Sequence, residues 1–136
     1  MKRILSFALA ILLAVGFCCN VHAAMPSDSD IVPLWENIDT FSCGITLNGT
    51  AGTATAVILG LSGTTKITGT LTVYKQTDDG WAFVDKTTGT SSSTALSLKV
   101  SFTAESGAYY KAECSVTVTR NGAAESETKT AYKTCP

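Results

Sequence analysis

From Ile38 onward apolar and polar residues alternate with a period of two, and that alternation confines the chain to sheet. Phe41, Cys43, Ile45 and Leu47 alternate with Ser42, Gly44, Thr46 and Asn48. Ile67, Leu71 and Val73 alternate with Thr68, Thr70, Thr72 and Tyr74, and Leu96, Leu98, Val100 and Phe102 with Ser97, Lys99 and Ser101. Tyr110, Ala112, Cys114, Val116 and Val118 form the longest inward set. The stretch from Gly52 to Leu61 is less regular, being alanine-rich with Val57, Ile58 and Leu59 consecutive. Asp78-Asp79-Gly80 signals a turn before a short strand over Trp81 to Lys86, and a last strand is expected from about Ala124 to Lys133. The 21 threonines favour strands, and no helical period follows residue 23. The expected fold is an all-β, antiparallel, immunoglobulin-like sandwich of about seven strands. Within it, Ser106-Gly107-Ala108-Tyr109-Tyr110 before an alternating run suggests a tyrosine corner.

The first residues have a different logic. Lys2-Arg3 precede an apolar run from Ile4 to Phe17, and Val21-His22-Ala23 fits a signal-peptidase site. That run falls short of the roughly 20 residues a membrane span needs. We therefore expect a cleaved signal peptide over 1–23, an N-terminal lead-in over 24–37 and the sandwich over 38–136. Cys18 and Cys19 follow Phe17 rather than a small residue, so they are read as part of the leader and not as a lipidation site. The mature chain is expected to be secreted, with no membrane attachment after cleavage. Without Lys2 and Arg3, eight Lys and Arg stand against 11 Asp and Glu, a net of −3. Such a chain offers no basic face to nucleic acid.

Removing the leader also removes His22, the chain's single histidine. Histidine-based catalysis and most metal sites go with it. Three cysteines remain, Cys43, Cys114 and Cys135, an odd count for an oxidising compartment. Cys43 and Cys114 both belong to inward sets, which favours a bridge between them. It would close a loop of about 71 residues and contribute at most roughly 4 kcal/mol. Cys135 shares parity with Lys129 and Lys133, expected to face outward; a Cys43–Cys135 bridge is the alternative. Three cysteines without histidine make a poor zinc set, and none has a base to activate it.

At the last hairpin a three-residue loop, Arg120-Asn121-Gly122, places Gly122 where positive φ is wanted and sets Glu113 opposite Lys129. A two-residue Asn121-Gly122 turn would set Val118 opposite Glu125. In the three-residue register Glu125 and Glu127 share an exposed face with Lys129 and Lys133, roughly 7 Å apart, and read as a solvated strand face rather than an acid pair. Asp78-Asp79-Gly80 has no third acidic ligand nearby and reads as a turn rather than a calcium loop. Asn48-Gly49-Thr50 fits a glycosylation acceptor but also a turn, the preferred reading. Thr87 to Thr94 reads as loop. Lys99 and Lys111 both point outward, away from any isopeptide partner. No catalytic residue, cofactor or metal site is expected.

Aromatic residues are the better candidates for binding, because rings give large contact area at low entropic cost. Tyr74 and Tyr109 point outward by period. Trp35, Trp81 and Tyr132 could join them, although Trp35 and Trp81 also suit the rim of the core. The expected ligand contacts are Tyr74, Tyr109 and Trp81.

Pro33-Leu34-Trp35-Glu36-Asn37-Ile38 resembles the start of a family of small secreted proteins of Gram-positive bacteria catalogued as a domain of unknown function. The segment Leu61 to Lys75, LSGTTKITGTLTVYK, followed by Gly80-Trp81, resembles the same family and is the most specific part of the likeness. It covers about Pro33 to Lys133 and implies a β-sandwich and export, with no activity, ligand or catalytic residue attached. Trp35, Asn37, Gly80 and Trp81 are structural positions in that pattern. It also implies a cysteine early in the second strand, where this chain has Ala56, so the Cys43–Cys114 pairing rests on this chain's own periodicity.

These readings converge on a secreted, non-catalytic binding or surface-interaction module, monomeric or weakly dimeric, with an extracellular glycan or protein as partner. The alternative is a structural or self-associating extracellular protein, joined through strand edges or a Cys135–Cys135 link.

Overall fold

The computed structural model describes residues 34–136. The expected leader, 1–23, and most of the lead-in lie outside the described residues. Seven antiparallel strands follow: β1 (Ile38–Asn48), β2 (Ala51–Gly60), β3 (Thr64–Thr77), β4 (Gly80–Ser91), β5 (Ala95–Thr103), β6 (Tyr109–Arg120) and β7 (Ala123–Thr134). They form two sheets, β1-β2-β5 and β4-β3-β6-β7. The protein is a β-sandwich. An immunoglobulin constant-type sandwich carries its fourth strand on the first sheet. Here β4 pairs with β3 instead and widens the second sheet to four strands.

The inward sets read from the sequence are the core. Phe41, Ile67, Leu71, Val73, Leu96, Leu98, Val100, Tyr110, Ala112, Cys114, Val116 and Val118 are all buried. In β2 the inward residues are small, Ala54 and Ala56 beside Ile58, while Val57 and Leu59 face out. Glycine makes room for the leucines of β5. Gly69 and Gly89 are cross-strand partners in β3 and β4, and a Cβ on Gly89 would lie 2.6 Å from Leu98 Cδ2. Leu96 and Leu98 fill the hollow that the two missing side chains leave.

Two expectations about strand extent and register are corrected. Strand β4 runs on to Ser91, so Thr87–Ser91 is strand and not loop. Its threonines suit an exposed edge, and Thr70 Oγ1 and Thr88 Oγ1 bond across the pair at 3.2 Å. At the last hairpin the two-residue turn wins: Asn121 and Gly122 have φ of 50° and 78°, the doubly left-handed geometry of an Asn-Gly hairpin turn. Val118 therefore lies opposite Glu125, Glu113 opposite Thr130, and Lys129 opposite Cys114.

That register points Glu125, Glu127 and Lys129 toward β1, not outward, and the neighbouring backbone makes this tolerable. The Glu125 carboxylate accepts the backbone N–H groups of Glu36, Asn37 and Ile38 at 3.0, 2.7 and 3.2 Å. Lys129 Nζ donates to the Phe41 carbonyl at 2.6 Å and lies over the Trp35 and Phe41 rings. Asn37 completes the closure, its side-chain amide donating to the carbonyls of Val118 and Ala123. Charges turned inward along β7 also blunt this edge against pairing with another strand. Trp35 packs at the rim of the core, 6.3 Å ring to ring from Phe41.

The tyrosine corner is present. Tyr110 is buried, and its hydroxyl accepts the Glu105 N–H at 2.9 Å, tying the β5–β6 connection to the start of β6. Tyr110→Phe is expected to lower unfolding stability by about 1 kcal/mol, whereas Tyr132→Phe, at an exposed ring, leaves it unchanged. Urea unfolding of the two variants checks this; equal losses would remove the corner's role.

Candidate functional site

Antiparallel pairing turns the outward residues of β4, β3, β6 and β7 into rows that cross the sheet. One row reads Phe83, Tyr74, Lys111, Tyr132, each the register partner of the next. Beside it Trp81 pairs with Gln76, and Tyr109 with Thr134. A bulge that leaves Val84 extra in β4 keeps Trp81 and Phe83 on the outer face while Val84 turns to the core.

The structure brings together all three residues expected to contact ligand. Trp81 lies 5.9 Å from Tyr109 and 6.0 Å from Tyr132, and Tyr109 stacks on Tyr132 at 5.8 Å with rings 15° from parallel. Lys111 Nζ sits 4.6 Å over Tyr74 and 4.9 Å over Trp81, welding the two rows by cation–π attraction. Glu113 lies 3.8 Å from the same ammonium. Cross-strand aromatic pairs stabilise a sheet by roughly 0.2–1 kcal/mol each. That gain does not require the rings to stay in water, yet Trp81, Phe83 and Tyr132 are 38%, 60% and 53% exposed. A clustered apolar patch on one face, held in place by its neighbours, has the anatomy of a contact surface.

Phe83 and Lys111 lie outside the expected contacts, and Tyr132, expected only as a ring that could join them, is part of the cluster. The signal for Tyr132 was the Asn121-Gly122 turn, which places it opposite Lys111; the three-residue loop would have turned it inward. The opposite carboxylates of β7 are no acid pair, since Glu125 is committed to three backbone amides. Among the described residues no group of three His, Cys, Asp or Glu is placed to hold a metal ion.

Cys43, Cys114 and Cys135 are all free thiols in this structure. Cys135 is 2% exposed, and its thiol donates to the Gly49 carbonyl at 3.4 Å. The expectation that it faces outward is thus corrected, for the same one-residue register reason. It lies at the β1–β2 turn, six residues along β1 from Cys43 and so roughly 20 Å away, which disposes of the Cys43–Cys135 alternative. Cys43 and Cys114 lie on facing sheets and sense one another. Burial pushes the Cys114 thiol up to about 12, with the nearby Cys43 adding to the rise. Burial also raises Cys43, partly opposed by the Cys114 backbone amide and the Lys129 ammonium.

No family model matches the chain, and no curated protein matches it. One solved structure it resembles is a β-glucuronidase of Parabacteroides merdae, at 16% identity and a TM-score of 0.37. That match covers 71% of this chain and 13% of the enzyme's, and it carries no argument about activity.

The raised Cys114 value has a measurable consequence. Below pH 9.0, its ordinary value, folded and unfolded chains both keep the proton; between there and about 12 only the folded chain does. Stability from this group is therefore full below that range and lost as pH rises through it, at up to about 1.4 kcal/mol per pH unit. Reduced protein should show this alkaline decline in its urea midpoint, and Cys114→Ala should show less of it. Equal slopes for the two would contradict the burial argument.

Proposed function

We propose that this protein is a secreted, non-catalytic binding module that meets its extracellular ligand with the outer face of the four-stranded sheet. The observation that carries the reading is the Trp81–Tyr109–Tyr132 cluster, in which Trp81 and Tyr132 are exposed, Tyr109 is half-buried and Lys111 braces Trp81. Flat rings fixed before the ligand arrives bind with little loss of side-chain freedom, and they suit the apolar faces of sugar rings. The self-associating alternative has less support. Its covalent route needs Cys135, which is buried, and β7 carries inward charges at its edge.

The test is binding of the purified protein across an array of extracellular glycans and cell-surface polymers, with Trp81→Ala and Tyr109→Ala alongside. A saturable ligand weakened about tenfold or more by Trp81→Ala, with the protein still folded and its thermal midpoint only modestly lowered, is the expected result. Binding that ignores both substitutions would move the site elsewhere, and turnover of any bound glycan would end the non-catalytic reading.

Export would also expose the cysteines to oxidants. We propose that Cys43 and Cys114 then join as a disulfide across the sandwich, two thiols giving up two protons and two electrons to a small-molecule disulfide or dioxygen. Their places on facing sheets, with the Cys43 thiol donating to the Ala112 carbonyl at 3.7 Å, two residues before Cys114, support it. Intact mass of exported protein should be two hydrogens lighter than after reduction, with one thiol, Cys135, alkylated on denaturation without reductant. Three alkylated thiols would refute the bridge.

A further inference from the structure

The same outer face continues past the aromatic rows into a region of different chemistry. Two rows consist wholly of hydroxyl side chains: Thr88, Thr70, Ser115, Thr128, and then Thr90, Thr68, Thr117, Ser126. All of them but Thr90 line an open depression of about 390 Å³. Neighbouring hydroxyls already bond to one another, Ser115 to Thr128 at 3.0 Å and Thr117 to Ser126 at 2.8 Å. Each such bond uses one hydrogen, so every pair keeps one free O–H donor and spare lone pairs for a partner. The row between, Lys86, Thr72, Glu113 and Thr130, joins this region to Tyr74 and Lys111.

We propose that the hydroxyl rows and the aromatic rows form one continuous site for a neutral polysaccharide chain laid along the strands. Sugar faces rest on Trp81 and Tyr109 at one end, and sugar hydroxyls exchange hydrogen bonds with Thr70 and Ser115 at the other. The inference rests on the platform reading above and adds the class and the direction of the ligand.

Charge and size select this occupant. The outward charges of the joined rows are Lys86, Lys111 and Glu113, and the last two are paired with each other. One remaining cation offers no match to a polyanion, whose binding depends on many neutralised charges. A neutral chain dense in hydroxyls matches a surface that both donates and accepts. From Thr68 to Gln76 the face is about 27 Å long, and four strands make it about 14 Å wide. That is under about 400 Å², half or less of what each partner gives to a stable protein interface, and it accommodates a short run of sugars.

Calorimetric titration of the purified protein with neutral β-1,4-linked gluco-, manno- and xylo-oligosaccharides, from disaccharide to hexasaccharide, tests the proposal. In at least one series affinity should rise about tenfold or more with length. Thr70→Val combined with Ser115→Ala should remove that gain while leaving disaccharide binding intact, and Trp81→Ala should weaken every length. Affinity independent of length, still lost in Trp81→Ala, would overturn the continuous site and leave the platform standing. Binding indifferent to Trp81→Ala at all lengths would overturn both. Absence of binding in all three series would overturn the neutral-chain inference, with the platform then decided by the array.

Discussion

The pairing of β3 with β6 is the contact on which the rest of the molecule depends. These strands occupy the middle of the four-stranded sheet, and each is covered on its inner side by the opposite sheet. Ile67, Leu71 and Val73 of β3 and Ala112, Cys114, Val116 and Val118 of β6 are all essentially inaccessible to water. Burying them fixes the register, because a slip of one residue would exchange the core for threonine and lysine. The same register then dictates the outer face, where Tyr74 must oppose Lys111 and Thr70 must oppose Ser115. Core and candidate site are two sides of one ladder.

The flanking strands show how the sandwich closes around that pair. Strand β1 lies over β6 and β7, and β5 lies over β3 and β4, so a three-stranded sheet covers four strands incompletely. At the β4 side, glycines in β3 and β4 let two leucines fill the space. At the β7 side the gap is polar: Lys129 spans to β1 and Glu125 fastens the incoming chain. Stability at that edge comes from satisfied hydrogen bonds more than from apolar burial.

This polarity explains what the sequence made legible and what it concealed. The inward sets of β1, β3, β5 and β6 could be read directly, because alternation there separates apolar from polar side chains. In β7 the inner residues are Glu125, Glu127 and Lys129, so hydrophobicity assigns the faces backwards and places Cys135 outward with Lys129. The Asn121-Gly122 turn carries the correct register, and Glu125 is tolerated on the inner face because the backbone amides of residues 36–38 satisfy its carboxylate. Strand β4 concealed its second half because Thr87 to Ser91 pairs as an edge with no apolar face. Tyr74, Tyr109 and Trp81 were legible singly as outward or rim aromatics. Their assembly with Phe83, Lys111 and Tyr132 was not, since it depends on cross-strand register and on the bulge at Val84.

The chain's two tryptophans make the most direct test of the account. Trp81 belongs to the outer face and Trp35 to the rim of the core beside Lys129. Their indole N–H signals in a nitrogen-15 NMR spectrum therefore report the two places separately. Titration with a neutral hexasaccharide that binds should shift the Trp81 indole, together with the Thr70 and Ser115 amides, and leave Trp35 in place. Shifts at Trp35, or at Val57 and Leu59 on the opposite sheet, with Trp81 unmoved would contradict the assignment of the binding face.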